Sequence, residues 1–203
     1  MKSKILAALG LVSFCALAVT AGRHYLSPSA FRFTSDERAL LRSRGEPGSP
    51  IWIVEYMDYQ CPPCRRAHQV LEDYFKNNRS KVYFQVRFYP MPAHRHALRA
   101  TLYAECAARE GKFWKFHDRL LTKQNEWSPA AEGRAEPFFR GYAEALGLDS
   151  RRFVLCLEDP GANRAIFEDR KAAQALGVRS TPTFFVNGKM VVGVRALEEE
   201  LKK

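Results

Sequence analysis

A buried strand that runs directly into a pair of cysteines is the feature that most constrains this fold. Residues 51–57 (IWIVEYM) are almost all apolar, β-branched or aromatic, which is typical of a strand buried on both faces. Cys61 and Cys64 follow as Cys-Pro-Pro-Cys, and residues 65–77 then carry apolar side chains at helical spacing. Because proline is tolerated in the first turn of a helix, we predict that both cysteines lie at a strand-to-helix junction.

The elements after this junction predict an α/β fold. Residues 81–89 are predicted as a second strand, which completes a β-α-β unit, and residues 94–177 show a succession of helical patterns. Two apolar runs around Asn187-Gly188 predict a β-hairpin, and a short helix closes the chain. The predicted order is therefore β-α-β, a helical insertion, and β-β-α. An ordinary doubly wound fold would instead alternate strand and helix to its end.

The position of Cys61 at the start of a helix predicts a reactive thiol. Unpaired backbone N–H groups and the helix dipole favour an anion there, so we expect the pKa of Cys61 to fall to roughly 3.5–7.5. Only the thiolate attacks disulfides, which makes Cys61 the predicted nucleophile. Cys64 lies one turn further along, on the side covered by the sheet, and is predicted to resolve a mixed disulfide.

An acidic residue, Glu55, interrupts the apolar strand six residues before Cys61. If Glu55 is buried, burial raises the pKa of its carboxyl group, and the acid can take the proton of Cys64 when that thiol must attack. The alternative is an edge position at which Glu55 contacts water. The apolar strand around it favours the proton-shuttle interpretation.

The first fifty residues predict export from the cytoplasm. Lys2 and Lys4 precede an uncharged run over residues 5–22 that ends in small side chains, as in a secretory signal. The run is near the lower length limit for a bilayer span, so we predict either a cleaved signal or an inner-membrane anchor. Residues 23–50 are predicted as a linker and residues 51–203 as the folded domain. The expected location is periplasmic or otherwise extracytoplasmic.

The formal net charge of +10 does not by itself indicate a nucleic-acid partner. Lysine and arginine are scattered, and the chain has no long basic tract and no basic stretch interleaved with aromatic residues. We therefore expect a solvated basic surface and no nucleic-acid partner.

Five segments form a specific combination in their order along the chain: IVEYMDYQCPPC, RFYPMP, ECAAREGKFWKFHDRLL, FVLCLEDP and LGVRSTPTFFVNGK. Together they resemble the DsbA-like thiol:disulfide oxidoreductases of the thioredoxin superfamily, over residues 51–194. The resemblance implies a thioredoxin-like α/β fold with a helical insertion. It also implies disulfide exchange through a redox-active disulfide, with no organic cofactor and no metal. The implied partners are thiol-containing exported proteins and a redox partner that resets the pair.

The resemblance also implies residue roles. Cys61 matches the attacking cysteine of the family and Cys64 the resolving one. Glu55 matches the buried acid, and Pro182 matches the cis-proline beside the active site. A cis bond there leaves the backbone of Thr181 available to pair with an extended peptide.

The two prolines between the cysteines depart from the best-known oxidases of the family, which carry Pro-His. Pro63 lacks an N–H that could bond the Cys61 sulfur, and no histidine adds positive charge. We therefore predict a milder oxidant, with oxidase activity still favoured over reductase or isomerase activity.

A second cysteine pair, Cys106 and Cys156, lies on two different predicted helices of the insertion, about fifty residues apart. Two interpretations are open, a stabilising disulfide or two buried thiols that pack as small apolar side chains. The disulfide is favoured in an exported protein and would contribute about 2–4 kcal/mol.

Two other functions fit the cysteine pair of the motif. A metal-binding or metal-delivery protein would use Cys61 and Cys64 as ligands, but tetrahedral zinc takes four. The sequence has no second C-x-x-C and no H-x-x-x-H, so no metal site is predicted. A structural domain with a fixed disulfide would instead hold a pair that resists reduction at mild potentials.

Overall fold

A five-stranded mixed sheet forms the centre of the fold in a computed structural model that describes residues 40–203. The strands are β1 (Ser43–Arg44), β2 (Ile51–Met57), β3 (Val82–Phe88), β4 (Thr183–Val186) and β5 (Lys189–Val192). Their order across the sheet is β1-β3-β2-β4-β5, with β2 and β3 parallel and the other neighbours antiparallel. The predicted signal or anchor (residues 1–22) and residues 23–39 of the predicted linker lie outside the described residues.

Helices form the connections from β2 to β3 and from β3 to β4, and one more follows β5. They are α1 (Pro62–Asn78), α2 (Ala97–Arg109), α3 (Phe113–Thr122), α4 (Gln124–Trp127), α5 (Glu136–Ala145), α6 (Ser150–Glu158), α7 (Pro160–Ala175) and α8 (Val194–Glu200). Helix α1 joins β2 to β3, and α2 to α7 form the insertion between β3 and β4. Helix α2 contacts α3, α5, α6 and α7, and α8 packs against α1. The predicted α/β order with a helical insertion is thus confirmed.

Within the described residues, no helix combines the length and the apolar character that a bilayer span requires.

The alternation of side chains along β2 decides what lies beneath α1. Ile53 and Met57 belong to the larger core cluster, which also contains the buried side chains of α1. Val54 and Tyr56 belong to a smaller cluster on the opposite face of the sheet. Successive residues of a strand point to opposite faces, so Glu55 lies on the same face as Ile53 and Met57.

The predicted hairpin is confirmed at the turn between β4 and β5. Asn187 has φ 48° and Gly188 has φ 83°, the left-handed backbone that a tight two-residue turn requires. The side-chain oxygen of Asn187 accepts a hydrogen bond from the backbone N–H of Trp52 at 2.7 Å. This bond attaches the turn to β2.

The domain begins earlier than the predicted boundary at residue 51. Strand β1 lies inside the predicted linker and pairs with β3. Just before it, Arg42 is only 1% exposed, since its guanidinium pairs with Asp169 at 2.6 Å and lies 4.1 Å from the ring centre of Phe88. A two-residue strand is too short for a periodic pattern, and arginine is normally a surface residue, so no sequence signal marked this segment.

Candidate active site

Both cysteines of the motif lie at the N-terminus of α1. The backbone N–H of Cys64 donates to the carbonyl oxygen of Cys61 at 3.0 Å, which forms the first turn of the helix. Cys61 is 5% exposed to solvent, and Cys64 is fully buried. Only the sulfur of Cys61 is therefore open to attack from outside.

The pKa of the Cys61 thiol is lowered from its ordinary value to about 6. The largest cause is a hydrogen bond from the thiol of Cys64, which outweighs the opposing effect of burial. Hydrogen bonds from the side chain of Thr181 and the backbone N–H of Cys64 act in the same direction. Cys61 is thus mostly ionised at neutral pH, and the groups that stabilise its thiolate are direct hydrogen-bond donors, one of which is a backbone N–H in the first turn of α1.

Cys64 has the opposite character. Burial raises the pKa of its thiol well above the ordinary range, and the neighbouring Cys61 raises it further. Its sulfur accepts a hydrogen bond from the backbone N–H of Asp58 at 3.5 Å. The sulfur of Cys61 is therefore ionised and slightly accessible, whereas that of Cys64 is protonated and fully buried, which suits an attacking and a resolving thiol.

Glu55 lies in the central strand β2 with only 2% of its surface exposed. Burial raises the pKa of its carboxyl group to about 8, and the proximity of Cys61 adds to the rise while Arg44 opposes it. Its Oε1 atom has no hydrogen-bond partner among the described residues. The water-exposed edge position is therefore wrong, and the carboxyl group holds a proton at neutral pH.

The segment before β4 lies against the cysteines. The peptide bond between Thr181 and Pro182 is cis, and the sulfur of Cys61 lies 3.3 Å from the carbonyl oxygen of Thr181, to which its protonated form donates a hydrogen bond. A groove opens here between the start of α1 and the connection from β5 to α8. Its lining includes Pro63, Arg66, Thr181, Pro182, Val192 and Arg195.

Asp58 organises the loop before the cysteines and was missed in the sequence analysis. Its buried carboxylate accepts hydrogen bonds from the backbone N–H groups of Gln60 and Met91, each at 2.7 Å. Nδ1 of His94 lies 2.7 Å from the same carboxylate, and burial raises the pKa of Asp58. An acid placed directly after a buried strand was the available signal.

Gln124 is a second residue that sequence reasoning did not find. Its buried side-chain amide donates hydrogen bonds to the carbonyl oxygens of Tyr59, at 2.7 Å, and Cys61, at 3.0 Å. It begins the four-residue helix α4, which is too short to show a pattern in sequence. Gln124 thus fixes the backbone that leads into the first cysteine.

The second cysteine pair is a disulfide. Cys106 in α2 and Cys156 in α6 are bonded to each other, which links two helices of the insertion. Cys61 and Cys64 are free thiols in this structure.

The metal-delivery alternative gains no further ligand from the fold. Among residues 40–203, the group of His, Cys, Asp or Glu side chains close enough to share an ion contains neither Cys61 nor Cys64. The motif therefore offers two of the four ligands that tetrahedral zinc takes.

Comparison with known proteins supports the fold over most of the chain. The family model described as Thioredoxin matches residues 41–203. A thioredoxin-like oxidoreductase from Silicibacter pomeroyi superposes with a TM-score of 0.63 at 26% identity, covering 79% of this chain and 92% of that one. Alpha-DsbA1 from Wolbachia pipientis superposes with a TM-score of 0.68 at 20% identity, covering 79% and 88%, which shows a shared fold.

A curated relative is much longer than this chain. The Na(+)/H(+) antiporter NhaA 3 of Salinispora tropica is 38% identical over 146 residues, which are 72% of this chain and 21% of the antiporter. The chain thus spans about a fifth of the length of that relative.

The family match begins at residue 41, beside the buried Arg42, and so agrees with the corrected start of the domain. The shared fold and the two neighbouring cysteines at the start of α1 agree with this family match. This chain belongs to the thioredoxin family, and it shares its fold with alpha-DsbA1.

Proposed function

We propose that this chain is an exported enzyme that exchanges disulfides with protein substrates through Cys61 and Cys64, with oxidation of substrate thiols as the favoured direction. The observation that carries the proposal is the difference between the two sulfur atoms. The accessible thiol has a pKa of about 6, and the buried thiol has a raised pKa. A low-pKa thiol is a good leaving group, so a mixed disulfide at Cys61 is readily released.

The oxidation proceeds in two exchanges. A substrate thiolate attacks the sulfur of Cys61, a bond forms between them, and the Cys61–Cys64 bond breaks with its electron pair on Cys64. A second substrate thiolate attacks the substrate sulfur of this mixed disulfide and expels Cys61 as a thiolate. The substrate loses two electrons and two protons. The cysteine pair gains the electrons, Cys64 gains one proton, and the other proton goes to solvent.

Glu55 fits the role of proton donor to Cys64. The leaving thiolate of Cys64 is formed in a fully buried place that disfavours its charge. Glu55 carries a proton up to about pH 8 and is close enough to influence the pKa of Cys64. In the reverse reaction its carboxylate takes the proton back when Cys64 attacks.

The groove beside Cys61 suits an extended peptide. Thr181 lies two residues before the start of β4, so its backbone can pair with a substrate strand that carries a cysteine to Cys61. Main-chain pairing of this kind accepts many sequences, as a general thiol oxidant requires.

Export is part of the proposal. The disulfide between Cys106 and Cys156 supports it, because such bonds persist in oxidising compartments. Residues 5–22 would act as a signal or as a tether to the inner membrane. Thiol-containing exported proteins would be the substrates, and a membrane or soluble redox partner would restore the disulfide.

The proposal is tested by mixing the oxidised protein with a synthetic dithiol peptide and counting the peptide disulfides formed. We expect one per chain from the parent and none from Cys61→Ser. Reduced Cys64→Ser, offered a disulfide peptide, should accumulate a mixed disulfide through Cys61. Equilibration with glutathione then gives the reduction potential. A pair that stays oxidised in excess reduced glutathione would instead mark a structural disulfide.

A further inference from the structure

A cluster of three side chains outside the redox motif brings together metal-binding atoms. His68 lies in α1, and His117 and Asp118 lie in α3, about fifty positions further along the chain. Their ligand-capable atoms all lie within 4.8 Å of one another. Both imidazoles are buried, whereas 46% of the Asp118 side chain is exposed, so the cluster is reachable from one side.

The spacing inside this cluster is wrong for a hydrogen bond and suitable for a bridging ion. Nε2 of His68 lies 3.7 Å from Oδ1 of Asp118, beyond the usual limit of about 3.2 Å for an N–H···O bond. Two ligands at about 2.0–2.2 Å from a tetrahedral zinc ion are separated by about 3.4 Å. A shift of a few tenths of an ångström would therefore bring these two atoms to the separation that an ion sets.

One atom of the cluster is left unsatisfied by the protein. Oδ1 of Asp118 is buried and has no hydrogen-bond partner within residues 40–203. An orphaned carboxylate oxygen is unfavourable, because its lost hydration is not replaced. A cation between Asp118 and the imidazoles would replace this lost hydration.

His117 is already oriented by a group outside the cluster. The hydroxyl of Tyr59 lies 3.0 Å from Nδ1 of His117, and both side chains are buried. Metal-binding histidines usually hold their second ring nitrogen in such a bond, which fixes the ring and its tautomer.

The arginine that acts electrostatically on all three side chains, Arg44, is already paired. Arg44 forms an ion pair with Glu72, one turn after His68, and lies 4.0 Å from the ring centre of Phe75. Its repulsion of a cation is thus offset by Glu72.

We propose that His68, His117 and Asp118 bind one divalent transition-metal ion of the zinc type, with water in the fourth position. The ligand set of two imidazoles and one carboxylate is one that zinc and its neighbours accept. The site differs from the cysteine-based alternative of the sequence analysis, since it uses neither thiol. Through Tyr59, it adjoins the loop that leads into Cys61.

The test uses the full oxidised chain, in which the Cys61–Cys64 disulfide removes both thiolates as competing ligands. Zinc is titrated in competition with a chromophoric chelator. We expect one zinc ion per chain. His68→Gln and Asp118→Asn should each weaken binding at least about tenfold, and Tyr59→Phe by about tenfold through loss of the bond to His117. The matched control Asp73→Asn changes an exposed carboxylate on the same helix as His68 and should leave binding unchanged.

Cobalt(II) gives a second readout. It should produce a visible ligand-field spectrum of low symmetry without a sulfur-to-metal charge-transfer band. Far-UV circular dichroism checks that each variant is folded. If a histidine variant does not fold, Asp118→Asn provides the test instead, because Asp118 is half exposed. The absence of zinc binding by the oxidised parent, or equal affinity of parent and Asp118→Asn, would overturn the proposal.

Discussion

The sulfur of Cys61 lies 3.3 Å from the carbonyl oxygen of Thr181, although 120 positions separate the two residues in sequence. The reactive sulfur therefore lies beside the backbone that a substrate peptide would pair with. Thr181 also lowers the pKa of Cys61 through its side chain. Recognition of a substrate strand and activation of the thiol thus meet at one position.

Replacing Cys64 separates the effect of its thiol from that of the helix end. The hydrogen bond from Cys64 is the largest cause of the low pKa of Cys61, so Cys64→Ala should raise that pKa from about 6 by about one pH unit or more. Cys64→Ser keeps a donor and should raise it less. The rate of iodoacetamide alkylation against pH gives both values. Identical titrations for the two variants would show that the hydrogen bond is unimportant.

Removing the acid of Glu55 should slow proton transfer to Cys64. Glu55→Gln keeps the shape of the side chain but cannot deliver a proton, so opening of the Cys61–Cys64 disulfide should slow by roughly 10- to 100-fold at pH 7. Burial raises the pKa of Glu55, and the deficit should shrink as the pH rises past that pKa, because the parent then also loses the proton. Acid quenching followed by mass spectrometry of the mixed disulfide measures this rate. A deficit that does not change with pH would contradict the role.

Glu55 should also make the stability of the reduced protein depend on pH. Its pKa rises from 4.5 to about 8 on folding, so between these values the folded state holds a proton that the unfolded state has released. The contribution of Glu55 to the free energy of unfolding is therefore full below about pH 4.5 and falls as pH rises to about 8. Between pH 5 and pH 8 the loss is on the order of 4 kcal/mol.

Urea unfolding of the reduced parent and of reduced Glu55→Gln at both pH values measures this loss as the difference between the two proteins. The part of the free energy of unfolding that Glu55 loses between pH 5 and pH 8 should be absent from the variant, because glutamine does not titrate. Glu199→Gln, on the exposed face of α8, is the control and should behave like the parent. Equal declines in parent and Glu55→Gln would mean that the folded pKa is not raised.

Position 63 should tune the reduction potential. Pro62 and Pro63 occupy the first two positions of α1 and have no N–H, so Cys64 supplies the first backbone donor to the Cys61 sulfur. Pro63→His adds an N–H and a titratable ring, and should make the disulfide a stronger oxidant. Pro63→Ala adds the N–H alone and should have a smaller effect. Equilibration with glutathione gives both potentials, and an unchanged value for Pro63→His would refute the argument.

Arg42 should be essential for stability although it precedes the predicted domain. Its guanidinium pairs with the buried Asp169, so Arg42→Met leaves that carboxylate without its nearest cation. The expected loss is about 3–5 kcal/mol in urea unfolding. Asp159→Asn, at an ion pair with a half-exposed carboxylate, should cost less free energy of unfolding.

A chain that starts at residue 40 should fold, whereas one that starts at residue 51 should not.

Local patterns were sufficient for the sheet strands β2 and β3, the helix after the cysteines and the hairpin at Asn187-Gly188. These features are encoded by side chains that are neighbours in sequence: an apolar run, an amphipathic repeat and a turn that needs left-handed backbone. The same local information predicted a reactive Cys61, since a helix N-terminus attracts an anion wherever it forms.

Contacts between distant segments decided the rest. The burial of Glu55 follows from the strands on both sides of β2, and the place of Arg42 follows from Asp169, 127 positions away. Gln124 and the cluster of His68, His117 and Asp118 likewise depend on how α3 and α4 pack beside α1. The spacing of residues in the sequence does not indicate these contacts. They join segments that are distant along the chain and form only when the core of the domain assembles.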